Sequence, residues 1–156
     1  MSFTRTSVRS LFASLFAVFF LSTLAVAQTA ERQDFSNIEI KNFGRLDERF
    51  YRGAEPKKLE DFKALKELGI NTVVDLQAKP EAEEKGMVES LGMRYVNIPM
   101  IEKKYPRPEH VEAFLKLVDE PSTGKFFVHC AGGRHRTGVM GAVYRFNHYG
   151  WNYDQV

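Results

Sequence analysis

One ten-residue segment, residues 129–138, constrains the fold of this chain more than any other. It reads His-Cys-Ala-Gly-Gly-Arg-His-Arg-Thr-Gly. The apolar run before it, residues 126–128, predicts a buried strand, and residues 139–146 after it predict a helix packed on that strand. A short loop therefore joins the end of a strand to the N-terminus of a helix. Backbone N–H groups and the positive end of the helix dipole converge there, which favours binding of an anion.

The segment contains the only cysteine of the chain, Cys130. A thiolate is an anion, so the same N–H groups and dipole should lower the pKa of this thiol. Arg136 should lie one turn into the helix, where its planar guanidinium can bind two phosphate oxygens. Thr137 can place a hydroxyl near the sulfur, and His129 can brace the loop carbonyls from behind. The simpler interpretation of Cys130 is an inert buried thiol beside a structural glycine turn.

The rest of the segment predicts a backbone cradle for the anion. Two adjacent glycines permit positive φ values and a close approach of the backbone to a ligand. The predicted phosphate-binding residues are Ala131, Gly132, Gly133, Arg134, His135 and Arg136.

The pattern His-Cys-x5-Arg-Thr-Gly resembles the signature loop of the cysteine-dependent protein tyrosine and dual-specificity phosphatases. By position, the resemblance implies that Cys130 is the nucleophile, Arg136 the phosphate clamp and Thr137 the hydroxyl beside the sulfur. Residues 42–44 and 50–56 are similar to the N-terminal block of the small atypical dual-specificity phosphatases of plants and fungi. The similarity covers nearly all of the chain after its first 27 residues.

The resemblance implies a phosphoric monoester hydrolase that works in two steps. Cys130 attacks phosphorus and forms a phosphocysteine intermediate. Arg136 and the loop N–H groups hold the equatorial oxygens as charge redistributes, and water then releases phosphate. The reaction requires no metal and no other cofactor.

The general acid is the point at which this sequence departs from the family. Relatives usually supply an aspartate from a mobile loop ahead of the cysteine, and this chain has none there. Between Asn97 and Pro108 the only carboxylate is Glu102, on a proline-bearing loop that could act as a lid. We predict Glu102 as the acid; alternatively, it pairs with a neighbouring lysine on a solvated loop. Glu109 and His110 are the fallback candidates.

The predicted rim of the site is basic. Arg134 and His135 project from the loop, and Lys103 and Lys104 of the lid could face them, which suits a polyanionic or acidic partner. Inositol pyrophosphate phosphatases among the plant and fungal relatives carry basic residues directly after the cysteine, where this chain has Ala131-Gly132. Phosphotyrosine or phosphoprotein, inositol (poly)phosphates and a small phosphorylated metabolite all remain open as substrates.

Two other functions fit parts of the same pattern. A rhodanese-type sulfurtransferase also uses a cysteine in an anion-binding loop, although the Arg-Thr-Gly ending at residues 136–138 and the preceding His129 favour a phosphatase. A catalytically weak phosphate-binding module would keep the cradle and lack an effective acid.

The first 27 residues have the pattern of a secretory signal peptide. Arg5 and Arg9 form a positive n-region, residues 11–26 form an uncharged apolar region, and Ala25-Val26-Ala27 is a small-x-small cleavage site. We predict cleavage before Gln28 and export to a periplasm or the outside, without a stable membrane anchor; the alternative is an uncleaved anchor helix. A lone thiol in such a compartment is either reactive or well hidden.

Residues 28–156 predict one phosphatase domain of the α/β class, with a mostly parallel central sheet flanked by helices. The formal net charge of +2 and the absence of a basic run argue against a nucleic-acid partner, and we expect a monomer. The expected strands are residues 37–41, 49–52, 71–76, 94–98 and 126–128, and the expected helices before the loop are 57–68, 80–91 and 108–118.

The last residues, 150–156, predict the cap and first turn of a further helix, with Asn152 or Asp154 as the N-cap. Relatives usually continue with at least one more helix. The phosphatase domain is therefore expected to be truncated at its C-terminus.

Overall fold

Five strands form one sheet in the part of the chain that the structure, a computed structural model, describes: residues 35–156. The strand order is β1-β2-β5-β3-β4, and every neighbouring pair is parallel except β1 with β2. The strands are β1 Gly44–Arg45, β2 Phe50–Ala54, β3 Ile70–Gln77, β4 Arg94–Met100 and β5 Lys125–Cys130. The predicted signal peptide lies outside the described residues.

Four α-helices cover the two faces of this sheet. The helices are α1 Leu59–Glu67, α2 Glu84–Ser90, α3 Pro108–Asp119 and α4 His135–Tyr149, with a 3-10 turn at Pro121–Thr123. Apolar residues of α1 and α2 join the core on one face, and those of α3 and α4 join the core on the other. The predicted class, a mostly parallel sheet flanked by helices, is confirmed. No helix within residues 35–156 is long and apolar enough to cross a membrane.

Strand β5 lies at the centre of the sheet and contributes to both halves of the core. Successive side chains of a strand point to opposite faces. Phe126 accordingly packs with Phe50 and Phe114 toward α3 and α4, while Phe127 packs with Tyr51 on the face of α1 and α2. Because both faces of β5 are buried, its carboxyl end is a well-fixed platform for the loop that follows.

The predicted edge strand at residues 37–41 is wrong. Ile40 is buried in the core with Tyr51, and the Lys41 carbonyl accepts the N–H of Ala54 at 2.8 Å, so the segment turns across the end of the sheet. The apolar alternation reflected burial of isolated side chains and not a ladder of strand hydrogen bonds. The edge is formed by the two-residue strand β1.

The second helix begins later than predicted, at Glu84 and not at Pro80. Residues 80–83 are exposed and offer no apolar side chain to the core, so packing fixes the helix only from its first buried position. At the C-terminus, residues 151–156 form a turn. Asn152 Oδ1 accepts the Gln155 N–H at 3.1 Å and Gln155 Oε1 accepts the Asn152 N–H at 2.9 Å, the reciprocal bonding expected of an N-cap.

Asp47 ties the turn between β1 and β2 to the last helix. Its Oδ1 accepts the N–H groups of Arg49 and Phe50 at 2.8 and 2.7 Å, and its Oδ2 accepts the hydroxyl of Tyr144 at 2.8 Å and that of Tyr149. Burial raises the pKa of Asp47, but the two tyrosine hydroxyls and the two N–H groups lower it by more. The carboxylate is therefore the form that the fold stabilises.

Replacing Asp47 with asparagine should reduce the free energy of unfolding by about 1–3 kcal/mol at neutral pH, because a charged acceptor of four hydrogen bonds is lost. The folded pKa lies below the unfolded value of about 3.9, so this contribution is present above that pH and disappears as the pH falls through the folded pKa. Urea denaturation at several pH values measures it. Glu48→Gln, an exposed neighbour, is the control, and equal losses in the two variants would contradict the assignment.

Candidate active site

Cys130 is the last residue of β5, and α4 begins at His135 after a four-residue loop, residues 131–134. The thiol is 2 % exposed, and the Thr137 hydroxyl donates to its Sγ at 3.2 Å. Burial raises the pKa of Cys130, but the Thr137 hydroxyl and the backbone N–H groups of Thr137, Arg134 and Gly133 lower it by more. The predicted convergence of N–H groups on the sulfur is therefore present, and it favours the thiolate form of Cys130.

The loop carbonyls are held by two side chains from the N-terminal part of the domain. Asn42 Nδ2 donates to the Gly132 carbonyl at 2.8 Å, and Arg52 Nη1 donates to the Gly133 carbonyl at 2.9 Å. These bonds hold two carbonyls of the loop in place. His129 was expected to brace these carbonyls, and this expectation is wrong, since its ring lies among carboxylates on the other face of the sheet.

Gly133 is required by the way the loop packs. Its φ is +63°, and a Cβ there would lie 2.3 Å from the backbone carbon of Gly53 and 2.4 Å from the nitrogen of Ala54. No side chain fits at that distance, and the positive φ itself disfavours residues other than glycine. The loop thus rests directly on the backbone of β2.

Arg136 lies in the first turn of α4 and is 8 % exposed. Its Nη1 donates to the carbonyls of Leu76 and Met100, at 3.3 and 3.2 Å, at the carboxyl ends of β3 and β4. Its Nε has no hydrogen-bond partner among the described residues. One side of the guanidinium is anchored to the sheet and the group also lines the pocket, which suits the binding of an anion there.

A pocket of about 170 Å³ brings most of the predicted residues together, while Gly133 and Thr137 are buried outside its lining. Glu102 reaches this pocket from the loop between β4 and α3, as the predicted acid should. The fallback residues are engaged elsewhere: Glu109 pairs with Arg107 at 3.0 Å, and buried His110 accepts the Arg107 N–H at 3.2 Å. The lining consists of Glu102, Cys130, Ala131, Gly132, Arg134, His135 and Arg136.

The basic rim is present only in part. Arg134 and His135 are exposed and line the pocket, while Lys103 and Lys104 are exposed on the loop between β4 and α3, outside the pocket lining. Lys103 has a φ of +59°, so this loop turns sharply directly after Glu102. The pocket itself therefore combines one carboxylate with the guanidinium groups of Arg134 and Arg136 and the imidazole of His135.

Three buried groups lie behind the loop and could in principle hold a metal ion. Ligand atoms of Asp75, Glu84 and His129 all lie within 4.8 Å of one another. However, Asp75 accepts the Gln77 N–H at 2.8 Å and the Tyr95 hydroxyl at 3.0 Å, and Glu84 contacts the His129 ring at 2.7 Å. The Asp75 carboxylate is thus satisfied, whereas both carboxylate oxygens of Glu84 and both ring nitrogens of His129 lack a hydrogen-bond partner among the described residues.

Sequence reasoning did not predict the hydrogen bonds that support the loop from elsewhere in the chain. Asn42 and Arg52 lie 90 and 81 positions before their partners, and no local pattern links them to the loop. The positive φ of Asn42, +54°, is a conformation that asparagine adopts more readily than most residues, but it is visible only in the structure. In the sequence, Glu84 is one of several acidic residues close together. Only its burial in the structure distinguishes it from its neighbours.

An α/β fold with a cysteine at the end of its central strand, followed by an N–H cradle and an arginine, defines the cysteine-dependent phosphatase superfamily. Residues 47–155 match the family described as Swiss Army Knife protein, DSP-PTPase phosphatase domain, PTP-SAK. The chain belongs to this family, and the resemblance noted from the sequence is confirmed.

Proteins of similar sequence or fold support the assignment of this chain to the phosphatase family. The chain is 31 % identical over 111 residues to OCA1 of Mycosarcoma maydis, named as a candidate tyrosine-protein phosphatase, covering 67 % of this chain and 68 % of OCA1. The core catalytic domain of the PP-IP phosphatase SIW14 from S. cerevisiae has the same fold, with a TM-score of 0.67, 22 % identity and coverage of 74 % and 71 %. TpbA from P. aeruginosa is similar at 25 % identity, with a TM-score of 0.63 and coverage of 74 % and 69 %.

Proposed function

We propose that this chain hydrolyses phosphoric monoesters with Cys130 as the nucleophile, through a phosphocysteine intermediate. The observation that carries the proposal is the convergence of a stabilised thiolate and an anchored arginine, Arg136, on one small pocket. The thiolate attacks phosphorus and the leaving oxygen takes a proton from Glu102. Arg136 and the loop N–H groups hold the equatorial oxygens, and water then cleaves the sulfur–phosphorus bond.

For the substrate, we propose a phosphotyrosine side chain or an inositol (poly)phosphate. A TpbA variant has been solved in complex with phosphotyrosine, and SIW14 is described as a PP-IP phosphatase. In this chain, Arg134 lines the pocket together with His135 and adds positive charge beside Arg136, which supports a substrate with additional negative charge. Ala131 and Gly132 also line the pocket and add none.

The test is release of inorganic phosphate from an aryl phosphate by the reduced chain, with a chelator present. Turnover that persists in the chelator is expected for a thiolate mechanism, and turnover that the chelator abolishes would contradict it. Thiosulfate is assayed in parallel, since sulfur transfer to cyanide would favour the sulfurtransferase. Saturable phosphate binding without turnover of any ester would favour the binding module.

Replacing Glu102 with glutamine should affect substrates according to their leaving groups. Hydrolysis of an alkyl phosphate should fall by about 10²-fold, because a poor leaving group needs a proton, whereas an activated aryl phosphate should lose less than about threefold. The measurement is kcat/KM for both esters. Glu109→Gln is the matched control, since Glu109 pairs with Arg107 outside the pocket lining. An equal loss on both esters would remove Glu102 from the role of acid.

We also propose that the chain is exported and cleaved near Gln28, on the strength of the N-terminal sequence pattern. Cell fractionation followed by N-terminal sequencing of the protein tests this. A cytosolic chain that retains Met1 would contradict it.

A further inference from the structure

Three ionisable side chains meet on the face of the sheet that α1 and α2 cover, and the proposed mechanism uses none of them. Asp75 of β3 and His129 of β5 are direct partners in the register of two neighbouring parallel strands. Their side chains point to the same face as Val73 and Phe127, two residues earlier in each strand. Glu84, in the first turn of α2, contacts the His129 ring from the helix side. Three separate elements of the fold therefore hold this cluster.

Four buried atoms of the cluster have no hydrogen-bond partner among the described residues: both carboxylate oxygens of Glu84 and both ring nitrogens of His129. The His129 side chain is fully buried and that of Glu84 is 2 % exposed, so bulk water does not satisfy them. Nε2 of the ring and Oε1 of Glu84 are 2.7 Å apart without hydrogen-bond geometry. Buried polar atoms without a partner are costly and rare in folded proteins. They indicate a ligand that the side chains themselves do not supply.

The cluster contains the donor types that a divalent transition-metal ion prefers. Imidazole nitrogen and carboxylate oxygen are common ligands of Zn²⁺. One nitrogen of His129, two oxygens of Glu84 and one oxygen of Asp75 make four donors, the number that closes a structural zinc site. One ligand atom from each residue can be chosen so that all three lie within 4.8 Å of one another. Two donors at about 2.1 Å from one zinc ion are at most about 4.2 Å apart, so shifts of about half an ångström bring all three within reach.

The charge around the cluster also favours a cation. Of the described residues, only the His129 ring lies within ion-pair distance of the carboxylate of Asp75 or of Glu84. Buried Glu55 adds a further negative charge that acts on Glu84, and Lys57 pairs with Glu55 and not with the cluster. Buried carboxylates without a cationic partner are unfavourable. A divalent cation would neutralise both acids of the cluster at once.

Asp75 is oriented by its neighbours in the way that metal ligands usually are. Its carboxylate accepts the Gln77 N–H at 2.8 Å and the Tyr95 hydroxyl at 3.0 Å. Asn97 Nδ2 donates to the backbone carbonyls of Asp75 and Gln77, both at 2.9 Å. A carboxylate oxygen that accepts one hydrogen bond keeps a second lone pair for an ion. These outer contacts fix the ligand before an ion binds.

Glu84 also lines a surface pocket of about 380 Å³, which gives an ion a route to the cluster. Glu81 and Glu83 line the same pocket and are exposed, and Lys57 is the one basic residue in the lining. An acidic pocket raises the local concentration of cations. The pocket therefore directs a cation toward the residue whose two carboxylate oxygens have no partner.

We propose that Asp75, Glu84 and His129 form a structural binding site for one Zn²⁺ ion. The ion fixes α2 to β3 and β5 by satisfying atoms that otherwise have no partner. His129 and Cys130 are successive residues of β5, so the ion and the sulfur lie on opposite faces of the sheet. The ion therefore takes no part in the proposed reaction, and the proposal does not depend on the proposed function.

The test measures zinc binding to a chain with Cys130→Ser and without a histidine tag, because the Cys130 thiolate is itself a zinc ligand. Zinc is first removed by prolonged dialysis against a chelator, and binding is then followed by competition with a chromophoric chelator. One equivalent should bind per chain. Glu84→Gln in the same background should lower the affinity at least about 10²-fold, since loss of an outer partner already costs up to about that factor. Glu83→Gln, exposed in the same pocket, is the matched control and should bind zinc unchanged.

The melting temperature gives a second readout. Zinc at about 100 times its dissociation constant should raise the melting temperature of the Cys130→Ser chain and of the Glu83→Gln control by about 5–10 °C. The same concentration should leave Glu84→Gln unchanged. A Cys130→Ser chain that binds no zinc overturns the proposal. Equal zinc affinity of Glu84→Gln and Glu83→Gln also overturns it, since the ion would then lie elsewhere.

Should Glu84→Gln not fold, anomalous X-ray scattering at the zinc edge decides, from crystals of the Cys130→Ser chain grown with zinc. A peak between the three side chains supports the site, and zinc found only elsewhere overturns it. Because the ligands are buried, release of the ion is slow, and a chelator present only during an initial-rate assay leaves it in place. The chelator test of the phosphatase reaction and the zinc measurement therefore report on separate sites.

Discussion

Replacing Cys130 with serine should lower phosphate release by at least on the order of 10⁴-fold, to the level of buffer. The loop stabilises the anionic form of the thiol, through the Thr137 hydroxyl and the N–H groups of the cradle. A serine hydroxyl in the same place remains protonated at any working pH, so the nucleophile is lost while the cradle stays. Initial rates with an aryl phosphate measure the effect.

The serine variant also provides its own structural control. Serine is close to cysteine in size, so the melting temperature and the binding of inorganic phosphate should be retained, and loss of either would make the rate uninterpretable. Mass spectrometry of an acid-quenched wild-type reaction should find phosphate on the peptide that contains Cys130, and not in the serine variant. Serine activity within tenfold of wild type would exclude Cys130 as the nucleophile.

The second large effect is expected at Arg136, even for a substitution that keeps the charge. Arg136→Lys should lower kcat/KM by about 10³-fold, because the planar fork that matches a phosphate face is lost. The lysine ammonium also cannot reproduce the paired contacts to the Leu76 and Met100 carbonyls, so those buried acceptors lose their donor. Both kcat and KM should change, since the arginine serves binding and the transition state.

Arg134→Lys is the matched control for this prediction. Arg134 lines the same pocket but is exposed, and its charge is retained by lysine, so kcat/KM should change by less than about threefold. A comparable loss in the two variants would mean that net positive charge, and not the geometry of Arg136, determines the rate.

The sequence alone was sufficient to predict the parts of the site that are contiguous in the chain. The loop, the strand before it and the helix after it lie within residues 125–149, and local periodicity places all three correctly. The contact between Thr137 and Cys130 follows from this short range. Glu102 was placed at the site by elimination of other carboxylates, and the structure brings it to the pocket.

Contacts between distant segments could not be predicted from local sequence patterns. Asn42 and Arg52 contact the loop because β2 pairs with β5. The order of strands in a sheet cannot be predicted from the sequence of any single segment. Ile40 alternates with polar residues as a strand residue would, yet tertiary packing turns its segment across the sheet end. His129 was assigned to the loop carbonyls because Glu84, 45 positions away, could not be seen as its partner.

The dependence of the loop on strands β2, β3 and β4 has a consequence for how the chain acquires its reactivity. The side chains that hold the loop come from positions 42 and 52, and the carbonyls that anchor Arg136 come from positions 76 and 100, so the site reaches its final form only once long-range pairing is complete. Before that point the chain carries an ordinary thiol, protonated at neutral pH and slow to react. Acquisition of an acidic thiol therefore reports completion of folding, and the unfolded chain is protected from oxidation at its most vulnerable atom.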